Sequence, residues 1–280
     1  MEDYFRAKLT LFERMPPEGK VLINTDDVYG NRIIGRTHCR IVTYGVKNSA
    51  DYRATNIKID KEKTRFQVEI DGRNEDFDIF LPGFHNVYNA LAAVGVALEE
   101  GIPLEIVKEG LREVKGVPGR LEIIKNKANL KIYVDYAHTP QSLERVLNTL
   151  RKISKGRLIV VFGCGGDRDP YKRPIMGKIA YRLADYTIVT SDNPRSEDPE
   201  KIIFSIEEGM LEEGAKKGKD YISIVDRREA IRYALSQMGK DDTLLVAGKG
   251  HERVQIFKDK TIPFDDREVL RDLLRSSGLL

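Results

Sequence analysis

Four polar stretches in the second half of the sequence could supply a binding site. They are DYAHTP (135–140), GCGGDRD (163–169), SDNPR (191–195) and GKGHE (248–252), of which only the second and the fourth contain glycine. Each follows a different apolar run that predicts a strand, and open α/β sheets bind ligands at the carboxyl ends of their strands. We therefore expect the four stretches to meet at one edge of a sheet.

The SDNPR stretch holds more charge than a turn requires. Asn-Pro is sufficient to initiate a turn, yet Asp192 and Arg195 flank it. A guanidinium can pair with a carboxylate through two hydrogen bonds, Asn193 can add a neutral one, and Pro194 restricts the backbone between them. Asp192 is expected either to face an ammonium group or to orient Arg195.

The GCGGDRD stretch has two open interpretations. Glycines 163, 165 and 166 either bring backbone close to an anionic ligand or form a tight strand–helix turn. Arg168 and Arg173 favour a carboxylate or phosphate. No Gly-Lys-Ser/Thr follows and the third glycine of GxGxxG is missing, so the common nucleotide-loop patterns do not apply.

The other two stretches carry titratable groups. Asp135 ends a strand beside His138, and either grips a ribose hydroxyl or caps the following helix. GKGHE presents Lys249, His251 and Glu252. His251 is either a base, a ligand or a structural residue, and Glu252 is the better placed to hold an ammonium group.

The first half offers three candidates. Lys8 is predicted on the apolar side of the first helix, where its amine either reaches water or is desolvated, with a lowered pKa, ready for covalent modification. Asn86 and Asn89 begin another helix, and either cap it or read an adenine edge.

The elements that must position these residues differ between the two halves. Residues 1–116 predict a helix ended by Pro16-Pro17, a strand KVLIN, a short helix, antiparallel strands from Cys39 to Phe80 with an Asp71-Gly72 hairpin, and two helices. KGVPGR (115–120) reads as a linker. Residues 117–280 alternate strand and helix, which predicts a doubly wound α/β sheet.

Composition excludes several classes of protein. The chain of 280 residues has 47 Lys+Arg against 44 Asp+Glu, a net charge of +3, which gives no broad basic surface for nucleic acid or a membrane. No apolar run is long enough for a membrane span. Two distant cysteines suggest neither disulfides nor a metal site, so we expect a cytoplasmic protein, and a monomer.

Taken together and in order, these stretches resemble the Mur ligase family, ATP-dependent amide-forming enzymes of peptidoglycan synthesis. The matching segments include YFRAKLTLF, INTDD, GFHNVYNALAA, GVPGRLE, VDYAHTP, VFGCGGDRDPYKRPIMG, SDNPR and AGKGHE. The resemblance implies an α/β fold: part of the central ATPase-type domain at 1–116, then a Rossmann-like C-terminal domain at 117–280. It implies ATP and Mg²⁺ as cofactors.

The resemblance also implies substrates and residue roles. It is strongest to members that add meso-diaminopimelate to UDP-N-acetylmuramoyl-L-alanyl-D-glutamate through an acyl phosphate. Lys8 matches the lysine that the family carbamylates to bind magnesium. The implied diaminopimelate-binding residues are Arg168, Asp192, Asn193, Pro194, Arg195, Gly248 and Glu252. The implied nucleotide-binding residues are Asn86, Asn89, Arg120, Asp135 and His138.

The sequence departs from the family pattern at its start. It contains no UDP-sugar-binding domain and no Gly-Lys-Thr phosphate loop, so we expect a truncated ligase without turnover of its own. Alternatives are a non-catalytic amino-acid-binding fragment and a lysine-adding ligase. We also expect KVLIN to lie at an open sheet edge, and residues 1–116 to be less stable than the rest.

Overall fold

A computed structural model of the chain describes residues 2–60, 63–81 and 83–280. The chain divides into two compact units, Met1–Gly116 and Val117–Leu280. Within these described ranges, every helix is too short or too polar to cross a bilayer.

The first unit is a five-stranded sheet with four helices in its described part. The strands lie in the order β1-β2-β3-β4-β5. In chain order the elements are α1 (Glu2–Arg14), β1 (Lys20–Asn24), α2 (Val28–Ile33), β2 (Arg40–Gly45), β3 (Tyr52–Ile59), β4 (Thr64–Ile70), β5 (Arg73–Ile79), α3 (Phe84–Glu99) and α4 (Leu104–Glu113).

The direction of β2 differs from the prediction. β2 pairs in parallel with β1 over five residues, and its last two residues pair in parallel with the start of β3. Only β3, β4 and β5 are antiparallel. The helix α2 between β1 and β2 carries the chain back across the sheet, and a crossover of this kind gives parallel strands. Alternation of apolar residues predicts a strand but not its direction.

The predicted hairpin between β4 and β5 is confirmed. Its two strands pair up to Ile70 and Arg73, which leaves Asp71 and Gly72 as the loop. Both loop residues have positive φ, 51° and 73°. That is the backbone of a type I′ turn, for which Asp-Gly is a favoured pair.

Helix α3 provides the core of the first unit. Its buried residues Val87, Leu91 and Val94 belong to one apolar cluster with Phe66 and Phe77 of the antiparallel strands. Within the part of the chain that the structure describes, β1 lies at the opposite edge of this sheet and has a neighbouring strand on one side only. The prediction that KVLIN forms an edge strand is therefore confirmed.

The second unit is a doubly wound sheet, as predicted. Its strand order is β10-β9-β8-β11-β7-β6, and all neighbours are parallel except β6, which pairs antiparallel with β7. Its elements are β6 (Glu122–Ile123), β7 (Lys131–Asp135), α5 (Pro140–Arg151), β8 (Leu158–Phe162), α6 (Lys172–Leu183), β9 (Tyr186–Val189), α7 (Pro199–Glu212), β10 (Tyr221–Ser223), α8 (Arg227–Gln237), β11 (Thr243–Ala247), β12 (Val254–Ile256), β13 (Thr261–Pro263) and α9 (Asp266–Ser276).

Apolar clusters cover both faces of this sheet. One joins the strands to α5, α6 and α7, with Leu147 and Met176 fully buried. The other joins them to α8 and α9, with Ile231 and Leu270 fully buried. Strands β8 and β11 are buried at every residue, which is typical of a parallel sheet covered on both sides.

The four polar stretches lie where the sheet brings parallel strands to one edge. They follow β7, β8, β9 and β11, which are consecutive neighbours in the sheet. Two elements near this edge were not predicted from the sequence. These are the two-residue strand β6 and the antiparallel hairpin of β12 and β13.

Candidate functional site

A buried lysine joins the loops that follow β9 and β11. The Nζ of Lys249 donates hydrogen bonds to Oδ1 of Asn193 and Oε2 of Glu252, each at 3.0 Å. The Nδ2 of Asn193 donates to the same Oε2 at 2.8 Å. Burial acts to raise the pKa of Glu252, but the hydrogen bonds from Lys249 and Asn193 outweigh it and lower the pKa. Glu252 is therefore a carboxylate at neutral pH.

Asp192 faces this lysine rather than Arg195. Its carboxylate is 6% exposed, and its Oδ1 lies 3.7 Å from the Nζ of Lys249. Gly248 has a φ of 113°, and a Cβ there would lie 2.8 Å from Oδ2 of Asp192. Burial raises the pKa of Asp192. The hypothesis that Asp192 orients Arg195 is therefore wrong, because the Asp192 carboxylate faces Lys249 inside the protein.

The unpredicted strand β12 fixes the backbone of the SDNPR stretch. Gln255 donates from its side chain to the carbonyl of Asp192 at 2.8 Å. The amide of Ile256 donates to Oδ1 of Asn193, and the amide of Arg195 donates to the carbonyl of Ile256, both at 3.0 Å. The sequence signal for this strand is weak, because only Val254 and Ile256 alternate with the polar Gln255.

Arg195 is half-buried and borders an open groove. Its φ is 51°, in the left-handed region. Its Nη1 donates to the carbonyl of Gly166 at 2.9 Å and to that of Asn193 at 3.4 Å. In the described part of the chain these bonds leave the Nε and Nη2 donors for a ligand. The groove has a volume of about 620 Å³ and is also lined by Phe257 and Lys258.

The glycines of the GCGGDRD stretch serve loop packing. The amide of Gly166 donates to the carbonyl of Asn193 at 2.9 Å, and a Cβ on Gly166 would lie 1.9 Å from the carbonyl oxygen of Pro194. A Cβ on Gly163 would lie 2.1 Å from the carbonyl oxygen of Thr190. Close approach of the loops after β8 and β9 therefore requires glycine here.

Arg168 of this stretch and Arg173 of α6 have different environments. Arg173 is buried, and its guanidinium pairs with both carboxylate oxygens of Glu197 at 2.8 and 2.9 Å. The expectation that Arg173 faces an anionic ligand is wrong, because its charge is paired within the protein. Arg168 is exposed, and its Nη1 donates to the carbonyl of Asp167. Arg168 and Arg195 both border Gly165.

A buried ion pair contacts the backbone at the ends of two strands that carry the site. Arg227 and Asp266 are both fully buried and form two hydrogen bonds of 2.8 Å. Arg227 also donates to the carbonyl of Ala247 at 2.9 Å and to that of Ser191 at 3.5 Å. It thus joins α9 to the ends of β9 and β11. This pair could not be recognised from the sequence, because both residues lie in helical segments with an amphipathic pattern.

The predicted nucleotide-side residues of this unit gather around Tyr136. The Arg120 guanidinium lies 4.7 Å from the centre of its ring, and the rings of His138 and His251 lie 4.5 and 5.1 Å away. Oδ2 of Asp135 accepts the amide of Leu121 at 2.7 Å. The alternative that Asp135 caps the next helix is wrong, because Thr139 and Ser142 form a capping box there.

The candidates of the first unit lie on two helices. Lys8 is exposed on α1, whose buried residues are Phe5 and Leu9. The prediction that Lys8 lies in the apolar stripe is wrong, because its position flanks that stripe. Asn86 and Asn89 are hydrogen-bonded to each other on α3 at 3.0 Å. Neither caps α3, because its N-cap is Gly83.

The resemblance implies a magnesium ligand at Lys8. Among the residues that the structure describes, there is no group of three or more His, Cys, Asp and Glu side chains that could hold a metal ion. The Nζ of the exposed Lys8 lies 5.4 Å from the centre of the Tyr4 ring. Magnesium binding through a carbamylated Lys8 therefore stays a prediction.

Comparisons with known proteins cover nearly the whole chain. The profile of the Mur ligase middle domain matches residues 1–97, and that of the Mur ligase glutamate ligase domain matches residues 119–250. The UDP-N-acetylmuramoyl-L-alanyl-D-glutamate–2,6-diaminopimelate ligase of Clostridium botulinum is 45% identical over 276 residues, 98% of this chain and 55% of its own length.

Solved structures agree with this match. The structure of a UDP-N-acetylmuramoyl-L-alanyl-D-glutamate–2,6-diaminopimelate ligase is 34% identical, with a TM-score of 0.57 over 99% of this chain and 57% of its own. The MurF ligase of Thermotoga maritima, solved in complex with ADP, is 14% identical and shares the fold, with a TM-score of 0.64 over 98% of this chain and 57% of its own. The chain spans about half the length of the relatives it matches. Matched by both domain profiles and by these relatives, the chain belongs to the Mur ligase family.

Proposed function

We propose that the chain is the amino-acid-selecting part of an ATP-dependent ligase that adds meso-diaminopimelate to UDP-N-acetylmuramoyl-L-alanyl-D-glutamate. The observation that carries the proposal is the adjacency of Arg195, Asn193 and Glu252 at one sheet edge, where a guanidinium and a carboxylate are both held by buried partners. The relative from Clostridium botulinum bears the name of that activity.

This arrangement suits a ligand that carries both charges at its far end. Diaminopimelate has an ammonium and a carboxylate at each end. Arg195 can hold a carboxylate through two donors, and Glu252 can hold the neighbouring ammonium. Arg168 and Gly248 belong to the same proposed pocket. Lysine lacks the distal carboxylate, so it would leave the guanidinium unpaired, and this favours diaminopimelate over lysine addition.

The nucleotide side of the proposal rests on two separate groups of residues. Arg120, Asp135 and His138 surround Tyr136, where an exposed guanidinium suits an anionic phosphate. Asn86 and Asn89 are proposed to read adenine. ATP, when bound, supplies the phosphoryl group that activates a carboxylate for attack by an amine. Carbamylation of Lys8 stays a prediction, and no role for Mg²⁺ follows from the described residues.

The site residues and the boundary near Gly116 are part of the proposal. So are a cytoplasmic location and a monomeric state. Both cysteines, Cys39 and Cys164, are buried and unpaired, as expected in a reducing compartment.

Calorimetry of the isolated chain tests the proposal. We expect meso-diaminopimelate to bind, and Arg195→Ala to weaken that binding about tenfold to a hundredfold, which is the effect of removing a charged hydrogen-bonding group. Lysine should bind more weakly than diaminopimelate to the unchanged chain.

The matched control is Arg145→Ala, which removes an exposed arginine from α5 and should leave the affinity unchanged. Absence of diaminopimelate binding would support neither the ligase part nor the amino-acid-binding alternative. Equal losses in both variants would refute the role of Arg195. ATP hydrolysis that depends on the UDP-linked dipeptide would show that the chain itself turns over.

A further inference from the structure

Lys249 is a lysine with no exposure to solvent. Its side chain is 0% exposed, and lysine is almost never fully buried unless it is paired. Its Nζ is within 3.0 Å of oxygens on Asn193 and Glu252, and within 3.7 Å of Asp192. Asn193 and Glu252 lie in the proposed pocket, and Asp192 is a buried internal partner. These three groups offset the cost of burying the lysine charge.

The lysine and a backbone amide together determine which way the Asn193 amide faces. Oδ1 of Asn193 accepts two hydrogen bonds of 3.0 Å, from Nζ of Lys249 and from the amide of Ile256. Because both donors lie on the oxygen side, Nδ2 must face the other way, where it donates to Oε2 of Glu252. The lysine is the side chain that contributes to this orientation.

The lysine also holds Glu252 at the solvent boundary. Both Lys249 and Asn193 donate to the same oxygen, Oε2, of that carboxylate. The side chains of Lys249, Asp192 and Glu252 are 0%, 7% and 28% exposed. Lys249 and Arg227 both attract Asp192 electrostatically. Glu252 is the member of this trio that solvent reaches, and a second ammonium would be attracted there.

We infer that Lys249 is a positioning residue: through Asn193 and Glu252 it holds a carboxylate ready for the distal ammonium of the incoming amino acid. This inference rests on the proposed diaminopimelate pocket. Lys249 does not contact the ligand in this scheme. Its removal should abolish recognition of the ligand's ammonium while leaving recognition of the carboxylate by Arg195 in place.

The test compares two ligands and two proteins by calorimetry. The ligands are meso-diaminopimelate and pimelate, which keeps both carboxylates and lacks both amines, so that it cannot present an ammonium in either orientation. For the unchanged chain we expect pimelate to bind about tenfold to a hundredfold more weakly. For Lys249→Met we expect the two ligands to bind within about twofold of each other, since the ammonium is no longer recognised.

The ratio of the two affinities separates positioning from general stability. A merely structural defect would weaken both ligands equally and keep the ratio. Lys155→Met, at an exposed lysine, is the control and should keep both affinities. If Lys249→Met does not fold, the charge-matched Lys249→Met/Asp192→Asn is measured in the same way, with the same expected loss of the ratio.

The outcomes distinguish this inference from the proposed function. No binding of diaminopimelate to the unchanged chain would overturn both. If the unchanged chain binds both ligands with nearly equal affinity, the inference is overturned and the proposed pocket is not. The same holds if the Lys249 variant keeps the affinity ratio of the unchanged chain.

Discussion

Replacing Asp266 by Asn should destabilise the second unit strongly. The carboxylate and Arg227 are both fully buried and share two 2.8 Å hydrogen bonds. Removal of one member of a buried ion pair leaves the other charge uncompensated, which costs about 3–5 kcal/mol. Asp192 also attracts Arg227 electrostatically, so the loss should fall in the lower part of that range.

The corresponding change in melting temperature is large enough to measure. A domain of about 150–250 residues loses roughly 2–4 °C for each kcal/mol, so Asp266→Asn should lower the transition of residues 117–280 by at least about 6 °C. Differential scanning calorimetry is the assay. Because the chain has two compact units, their transitions must be analysed separately.

The control is Asp272→Asn on the same helix. Asp272 pairs with Arg275, and both side chains are about half exposed, so the loss should be below about 1 kcal/mol. If Asp266→Asn lowers the melting temperature no more than this control, the pair does not stabilise the ends of β9 and β11, and the reasoning is refuted.

Three other perturbations have expected outcomes. Gly166→Ala should lower the free energy of unfolding by about 1–3 kcal/mol and weaken diaminopimelate binding, because its Cβ would lie 1.9 Å from the Pro194 carbonyl oxygen. Gly110 of α4 has open space around it, so Gly110→Ala should instead raise the free energy of unfolding by about 0.5–1 kcal/mol. Burial acts to raise the pKa of Asp26, but hydrogen bonds from three backbone amides and a tyrosine hydroxyl outweigh it and lower the pKa to about 2. The pKa of Asp26 is higher in the unfolded chain, so this stabilisation of the fold is present above about pH 4 and is lost as the pH falls towards 2. Urea titrations of the chain and of Asp26→Asn at several pH values measure this contribution to the free energy of unfolding. Limited proteolysis should cut residues 1–116 before 117–280, because β1 is an open edge.

Each of these has a contradicting result. An unchanged melting temperature of residues 117–280 in Gly166→Ala would show that the loops separate without cost. An unchanged pH profile in Asp26→Asn would mean that this carboxylate contributes nothing to acid stability. Earlier cleavage in the second unit would refute the edge-strand argument.

Strand and helix positions in the second unit could be predicted because apolar runs and turn residues alternate there with little ambiguity. The parallel direction of β2 could not, since direction depends on the crossover through α2 and not on the pattern within the strand. The strand β12 is three residues long, too short for a periodic signal. It was missed although its backbone holds Asn193 and Arg195.

The candidate site, too, could be predicted from the sequence only in part. The stretches that carry polar residues were recognisable, and the sheet brings Asn193, Gly248 and Glu252 together. Which charges face a ligand and which face the protein was not recognisable, because that depends on neighbours distant in sequence. Arg173 and Asp192 are paired internally, whereas Lys8 is exposed. Lys249 lies two residues after a strand in which every residue is buried, and this position is the signal that it is buried too.

The place of β11 in the sheet has a consequence for biosynthesis. β11 lies between β7 and β8, yet it is the last of the parallel strands to be translated. A nascent chain that ends before Thr243 therefore has a gap in the middle of its sheet, with β6 and β7 on one side and β8, β9 and β10 on the other. Lys249 and Ile256, which orient Asn193, emerge later still. The pocket can thus form only after Ile256 has been synthesised, and such non-local pairing is slow.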